Sequence, residues 1–254
     1  MPAVRIIARL DAKGPNLVKG IHLEGLRVLG DPGAFAQRYY AEGADEILYV
    51  DIVASLYGRN NILEVVRRTA EAVFVPMTVA GGLRSLADVR DALRSGADKV
   101  AINTAAVARP ELIREVAQAF GRQCMVVSVQ AKQIGPARWE AYTDNGRERT
   151  GLDALEWIQR AVGLGAGEVL VTSVDREGTQ KGMDLELLGR VTRLVDVPVI
   201  GCGGVGTPDH VHEAVTGAGL DAVAVASVLH YGKHSIGAIK ARLAQADVPV
   251  RTSA

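Results

Sequence analysis

Short runs rich in Val and Ile alternate along the chain with amphipathic stretches of helix length. VRIIARLD is followed by AFAQRYYAEG, DEILYVDIV by ILEVVRRTAEAV, and FVPMTVAGG by LADVRDALRSG. The alternation continues through DKVAIN, CMVVSVQ, GEVLVTS, VPVIGCGG and DAVAVAS, which makes eight predicted strands. Their apolar positions are nearly continuous, the pattern of strands buried on both faces beneath crossover helices. Right-handed crossovers between eight such strands predict an α/β fold, a closed (β/α)8 barrel occupying the 254 residues as one domain.

The pattern also repeats on a longer scale. VPMTVAGGLRSLADVRDALRSGADKVAINTAAV, starting at Val75, lines up with VPVIGCGGVGTPDHVHEAVTGAGLDAVAVASVL, starting at Val197, through a Pro, a Gly-Gly and a GAD or GLD turn. All βα units of a barrel resemble one another in their apolar runs. The shared Gly-Gly and the small polar residues beyond it are better explained by internal duplication of a half-barrel, with halves at about residues 1–122 and 123–254.

Charge narrows the range of partners. Lys and Arg together number 29, as do Asp and Glu, so the formal net charge is zero and no basic field favours nucleic acid or an anionic membrane. A small molecule or a protein partner fits this balance. Arg5 and Asp11 interrupt the N-terminal residues, and no segment approaches 18 uninterrupted apolar residues, so a soluble, cytoplasmic protein is expected. Cys124 and Cys202 lie in apolar runs, as reduced core thiols do, and the five histidines show no metal-ligand spacing. No metal or cofactor is predicted.

Candidate chemistry begins with glycine. Gly81-Gly82 follows the third strand and Gly203-Gly204 the seventh; one βα unit later come the strand ends Asn103-Thr104 and Ala226-Ser227. Glycines let backbone amides approach an anion, and barrels commonly bind phosphate at such loops. A single Gly-Gly is as readily a tight turn. Two copies on opposite sides of one barrel mouth predict a ligand with a phosphate at each end.

RIIARLDAKGPNLVKG, DIVAS, GGLRS, GADKVAINTAA, GAGEVLVTSVDREGT and GCGGVG together resemble the cyclase subunit of imidazole glycerol phosphate synthase and its relatives, across nearly the whole chain. The resemblance implies a duplicated half-barrel that takes a bisphosphate ribonucleotide at the C-terminal face. It also implies a glutaminase docked at the N-terminal face, whose ammonia crosses the barrel. An imidazole ring is then closed and a carboxamide nucleotide released, in histidine biosynthesis. On the matched positions, Asp11 at the first strand tip is the proton-transfer carboxylate, and Lys19 in NLVKG belongs to a mobile loop, where an isolated lysine would otherwise be a solvated charge. Asp51, Thr172 and Ser173 face the substrate, although Asp51 taken alone also has a lesser reading as a loop cap. Arg5, Glu46, Lys99 and Glu168, each at a strand start, match an ionic gate for ammonia, and Asp98 matches a position facing the glutaminase.

Three segments depart from the family pattern. The fifth strand ends VQAK, with Gln130 where the family carries its second catalytic aspartate, and an amide cannot exchange a proton at neutral pH. Glu177 replaces a shorter aspartate in SVDREGT; it or Asp175 is a candidate to cover part of the missing role. Ala8-Arg9 replaces Pro-Cys, and strand alternation puts Arg9 on the inward face with Arg5 and Asp11, where it would narrow the axis or bridge to acids. The leading reading is therefore a glutaminase-coupled, ammonia-using cyclase and lyase. The first alternative is a paralogue that amidates another substrate, such as a nucleotide sugar for surface polysaccharide. The second is a non-catalytic scaffold that binds a phosphorylated metabolite and supports a glutaminase. Trp139 and Trp157 are read as packing residues.

Overall fold

A computed structural model describes residues 3–54 and 62–251; Ser55, the last residue of the DIVAS motif, lies outside them. In chain order the strands are β1 (Arg5–Lys13), β2 (Asn16–Ile21), β3 (Glu24–Gly30), β4 (Glu46–Asp51), β5 (Met77–Ala80), β6 (Lys99–Ile102), β7 (Met125–Gly135), β8 (Arg138–Thr143), β9 (Glu148–Asp153), β10 (Glu168–Ser173), β11 (Val199–Cys202) and β12 (Ala222–Val225). The eight predicted strands are β1, β4, β5, β6, β7, β10, β11 and β12. They pair in parallel and in chain order, β7 joins β10 with Gln130 opposite Thr172, and β12 returns to β1 with Ala224 opposite Ile7. The sheet is thus a closed barrel, and the predicted (β/α)8 fold is the one observed.

The helices are α1 (Pro32–Ala41), α2 (Leu63–Ala70), α3 (Leu86–Arg94), α4 (Thr104–Ala108), α5 (Glu111–Phe120), α6 (Ala154–Leu164), α7 (Leu185–Leu194), α8 (Pro208–Ala218), α9 (Ser227–His230) and α10 (Ile236–Ala244). Their starts are written locally. Asp31, Ser85, Asp153, Asp184 and Thr207 each cap an N-terminal amide with a side-chain oxygen, and Pro32 and Pro208 follow two of these caps. Strand alternation then separates two apolar layers. Ile6, Ala8, Leu10, Val79, Val127 and Val171 pack outward against helices, whereas Ile7, Leu48, Ala80, Ala101, Val126, Leu170 and Ile200 fill the barrel interior.

Local geometry recurs between the two aligned segments. Ser85 caps Asp88 N and Thr207 caps His210 N. Asp98 accepts a hydrogen bond from Met77 N at 2.8 Å, and Asp221 accepts one from Val199 N at 2.9 Å. Asn103 (φ −117°, ψ −87°) and Ala226 (φ −130°, ψ −79°) share an unusual backbone conformation as N-caps of α4 and α9. The recurrence also reaches two hairpins that the sequence pattern did not announce: β1 continues into antiparallel β2, and β7 into antiparallel β8. The outer strands of these hairpins, β3 and β9, are largely exposed and carry no apolar period, so they read as loop.

Candidate functional site

Asp11 and Gln130 stand at the C-terminal mouth on opposite strands, β1 and β7. Asp11 is buried within a charge network. Arg9 Nε donates to Asp11 Oδ1 at 2.8 Å, and Arg9 Nη1 reaches Thr172 Oγ1 at 3.3 Å and Cys202 Sγ at 3.2 Å, so one guanidinium spans from β1 to β10 and β11. The inward placement of Arg9 and its bridge to an acid are both seen; its side chain is 2% exposed. Burial would raise the Asp11 carboxyl, but the charges of Arg9 and Lys19 outweigh it and hold the group below its ordinary range.

Lys19 lies on strand β2 rather than in a loop, and Leu17 and Val18, which precede it on that strand, are buried with it. Its Nζ bonds Glu177 and sits 3.5 Å from Asp11 Oδ2. Burial would lower the ammonium; the charges of Asp11 and Glu177 raise it instead. The β2–β3 turn is fastened to the loop after β10, where His22 N donates to Glu177 O at 2.9 Å and Leu23 N donates to Glu177 Oε2 at 3.3 Å, and to the β8–β9 turn, where Asn145 Nδ2 donates to Leu23 O at 3.4 Å. Glu177 is therefore committed to Lys19 and the hairpin, and Asp175 Oδ2 accepts from Gln133 N at 2.8 Å. Neither carboxylate is spent on Gln130.

Gln130 has a different neighbour. Asn103 Nδ2 donates to Gln130 Oε1 at 3.2 Å and to Tyr142 O at 3.0 Å, using both amide hydrogens of Asn103. With its oxygen engaged, Gln130 turns its NH2 group, a donor, to any ligand. It lines a cavity of about 380 Å3 with Asp51, Gly81, Gly82, Thr104 and Ser128. Asp51 also serves as a loop cap, accepting from Val53 N at 3.1 Å, and burial raises its carboxyl against that bond. Thr104 Oγ1 accepts from Asp144 N at 3.1 Å, leaving its hydroxyl hydrogen for a ligand. Arg84 and Arg109 line the same cavity, and the motifs did not single them out.

The second glycine pair is built in the same way. Gly81 (φ +91°) presses against the Asp51 carbonyl, and a Cβ at Gly203 (φ +97°) would lie 2.9 Å from the Ser173 carbonyl. Gly204 abuts the Gly182 carbonyl. Thr172 turns inward to Arg9, while Ser173, the next residue, turns to Asp184 Oδ2 at 3.4 Å. Beyond Ala226 and Ser227, α9 ends at His230, whose Nδ1 meets Tyr39 Oη at 2.7 Å and whose Nε2 is buried without a partner. Burial lowers the His230 imidazole to about 4. This neutral histidine was also not foreseen, since a histidine at the end of an apolar run looks like any core residue.

At the opposite face Arg5, Glu46, Lys99 and Glu168 close a ring. Arg5 bonds both Glu46 and Glu168, and Lys99 bonds Glu46 at 3.0 Å and Glu168 at 2.9 Å. The two carboxylates are nearly buried, so each charge is compensated on two sides. Asp98 is exposed beside this ring while one of its oxygens ties down Met77.

The family model described as histidine biosynthesis protein matches residues 5–235, most of this barrel. The chain belongs to that family. A curated relative, the imidazole glycerol phosphate synthase subunit HisF of Legionella pneumophila, is 59% identical over 206 residues, covering 81% of this chain and 97% of the relative. Family membership supports a role in histidine biosynthesis. Among the described residues, no group of three His, Cys, Asp or Glu side chains is arranged to hold a metal ion, and no helix is long and apolar enough to cross a membrane.

Proposed function

We propose that the chain is a glutaminase-coupled cyclase and lyase that converts a bisphosphate ribonucleotide and ammonia to imidazole glycerol phosphate and a carboxamide ribonucleotide. The observation that carries the reading is the pairing of Asp11 with Lys19 beneath the β2–β3 hairpin, at the mouth of a barrel 59% identical to a subunit of that synthase. In this reading Gly81, Gly82 and Thr104 hold one phosphate, and Gly203, Gly204, Ala226 and Ser227 hold the other. Asp51, Asn103, Thr172 and Ser173 shape the walls between them. Asp11 takes and returns protons, and the hairpin excludes water while a nitrogen nucleophile is committed. The four-charge ring is the entrance for ammonia, a glutaminase docks around Asp98 on that face, and the half-barrels divide at about residue 122.

Gln130 favours a second reading, a paralogue that passes ammonia to a different acceptor. Its NH2 group supplies a hydrogen-bond donor where the ring-closing reaction calls for a proton-exchanging carboxyl, a role worth about 100- to 10,000-fold in rate. A single assay separates the two: purified protein is given ammonium and the bisphosphate ribonucleotide, and imidazole product is followed. Turnover at the rate of an ordinary cyclase supports the first reading. Absence of turnover in the wild type, with a gain in Gln130→Asp, overturns it in favour of the paralogue. A scaffold without catalysis would stimulate a glutaminase equally well as Asp11→Asn and consume no ammonia.

A further inference from the structure

Two strands that end alike differ in what they send inward. β1 closes with Arg9-Leu10-Asp11-Ala12-Lys13 and β7 runs through Ser128-Val129-Gln130-Ala131-Lys132, so Arg9 of one half matches Ser128 of the other as Asp11 matches Gln130. Alternation turns both matched positions toward the axis. The guanidinium crosses from β1 to Thr172 on β10 and Cys202 on β11, and it is one of the bulkiest fully buried side chains among the described residues. Ser128 instead lines the cavity of about 380 Å3 beside Gln130.

The interior is divided accordingly. From the basal ring upward, the inward positions of β1 are Arg5, Ile7, Arg9 and Asp11, none smaller than an aspartate. Those of β6 and the residue beyond it are Lys99, Ala101 and Asn103, and Ala80 of β5 is the register partner of Ala101. Barrels usually fill such layers with bulky branched side chains, so two adjacent methyl groups leave room. Val50, Ala80 and Ala101 line the same cavity as Ser128, which therefore reaches below the rim into the apolar layer on that side. Across the axis Ala224 is small as well, but its register partner Cys202 lies 3.2 Å from the guanidinium, and neither of the two lines the cavity.

We propose that Arg9 shuts the β1–β10–β11 side of the barrel, and that the passage for a small neutral molecule runs up the other side, past Ala101, Ala80 and Ser128, to arrive at Gln130. The inference rests on the reading above only for the identity of that molecule, ammonia. Such a passage ends on a hydroxyl and an amide, which hold ammonia by hydrogen bonds without converting it to ammonium. Xenon, an uncharged atom that settles in small apolar spaces, tests the route without turnover. Alanine-methyl NMR spectra of the full-length protein are recorded under xenon pressure. Ala80 and Ala101 are expected to shift at least about threefold more than Ala222 and Ala224. Ser128→Leu, which fills the passage, should lower the response at Ala101, and Arg9→Ala should bring Ala224 up to the level of Ala101. An equal response on the two sides of the wild type, a stronger one at Ala224, or none at any of the four methyls would each overturn the proposal. So would an Arg9→Ala protein, folded by circular dichroism, in which Ala224 stays silent. The wild-type comparison decides the matter even where a variant fails to fold. Imidazole turnover, present or absent, bears only on the earlier reading.

Discussion

Arg9 Nε lies 2.8 Å from Asp11 Oδ1 inside the barrel, with both side chains almost wholly buried. The arginine fixes the carboxylate in its charged form and ties it across the axis to Thr172 and Cys202. Replacing Arg9 with Met leaves Asp11 and Glu177 to share Lys19. Breaking one partner of a buried pair costs about 3–5 kcal/mol, so urea unfolding of Arg9→Met should show a loss of that order. The sign of the pH dependence also follows. A depressed Asp11 contributes stability that is present above its unfolded value and lost as pH falls through its lower folded value. In Arg9→Met the carboxyl moves back toward its ordinary value, so that loss should be smaller and complete at higher pH; an unchanged acid limb would show that the pair does not govern Asp11.

His230 is held in the opposite charge state, neutral rather than charged, yet moves stability with pH in the same direction. Its imidazole is held at about 4 in the folded chain against 6.5 when free, so the protein gains nothing from charging it. The contribution of a neutral His230 is complete above pH 6.5 and declines as pH falls toward 4, by up to about 3 kcal/mol. Its ring resonances should remain those of a neutral imidazole at pH 5.5. In His230→Phe, stability measured by urea unfolding should change less between pH 6.5 and 4.5 than in the wild type.

The β2–β3 hairpin rests on Lys19, Glu177 and the backbone bonds around His22. Glu177→Gln removes the charge that holds Lys19 on that side. Amide exchange across residues 16–30 should accelerate about tenfold or more, with exchange in the barrel strands unaltered. Uniform acceleration throughout the chain would instead mark Glu177 as a global stability residue.

The basal ring is a coupled unit. Lys99→Met leaves Glu46 and Glu168 both dependent on Arg5 and should cost about 1–3 kcal/mol. Adding Glu168→Gln should recover part of that loss, since it removes the carboxylate left under-compensated. Strict additivity of the two substitutions in a double-mutant cycle would exclude the coupling.

Much of this architecture is legible in the chain. Eight apolar runs with helical spacers are enough for the barrel, because closed parallel strands must be apolar on both faces. Arg5, Glu46, Lys99 and Glu168 were placed at one level by counting from strand starts, and the structure joins them in a ring. The hairpins escaped because β3 and β9 face solvent and carry no period. Glu177 illustrates a different limit: its residue type invites a role beside Gln130, yet the path of the loop after β10 brings it to Lys19. Pairings between distant loops depend on where each loop turns, and residue types along a strand do not record that. Arg84 could have been noticed only by asking what the matching residue of the other segment is, a comparison of differences between the halves rather than of their likeness.

The contacts of Gly81 with the Asp51 carbonyl and of Gly203 with the Ser173 carbonyl have a bearing on how such a barrel changes over generations. In both, the outline of the mouth is drawn by main chain against main chain, and the neighbouring strand-tip side chains take no part in it. A strand-tip side chain can then be exchanged while these two backbone contacts stay as they are, and the glutamine at 130 sits in a rim whose main-chain outline does not depend on it.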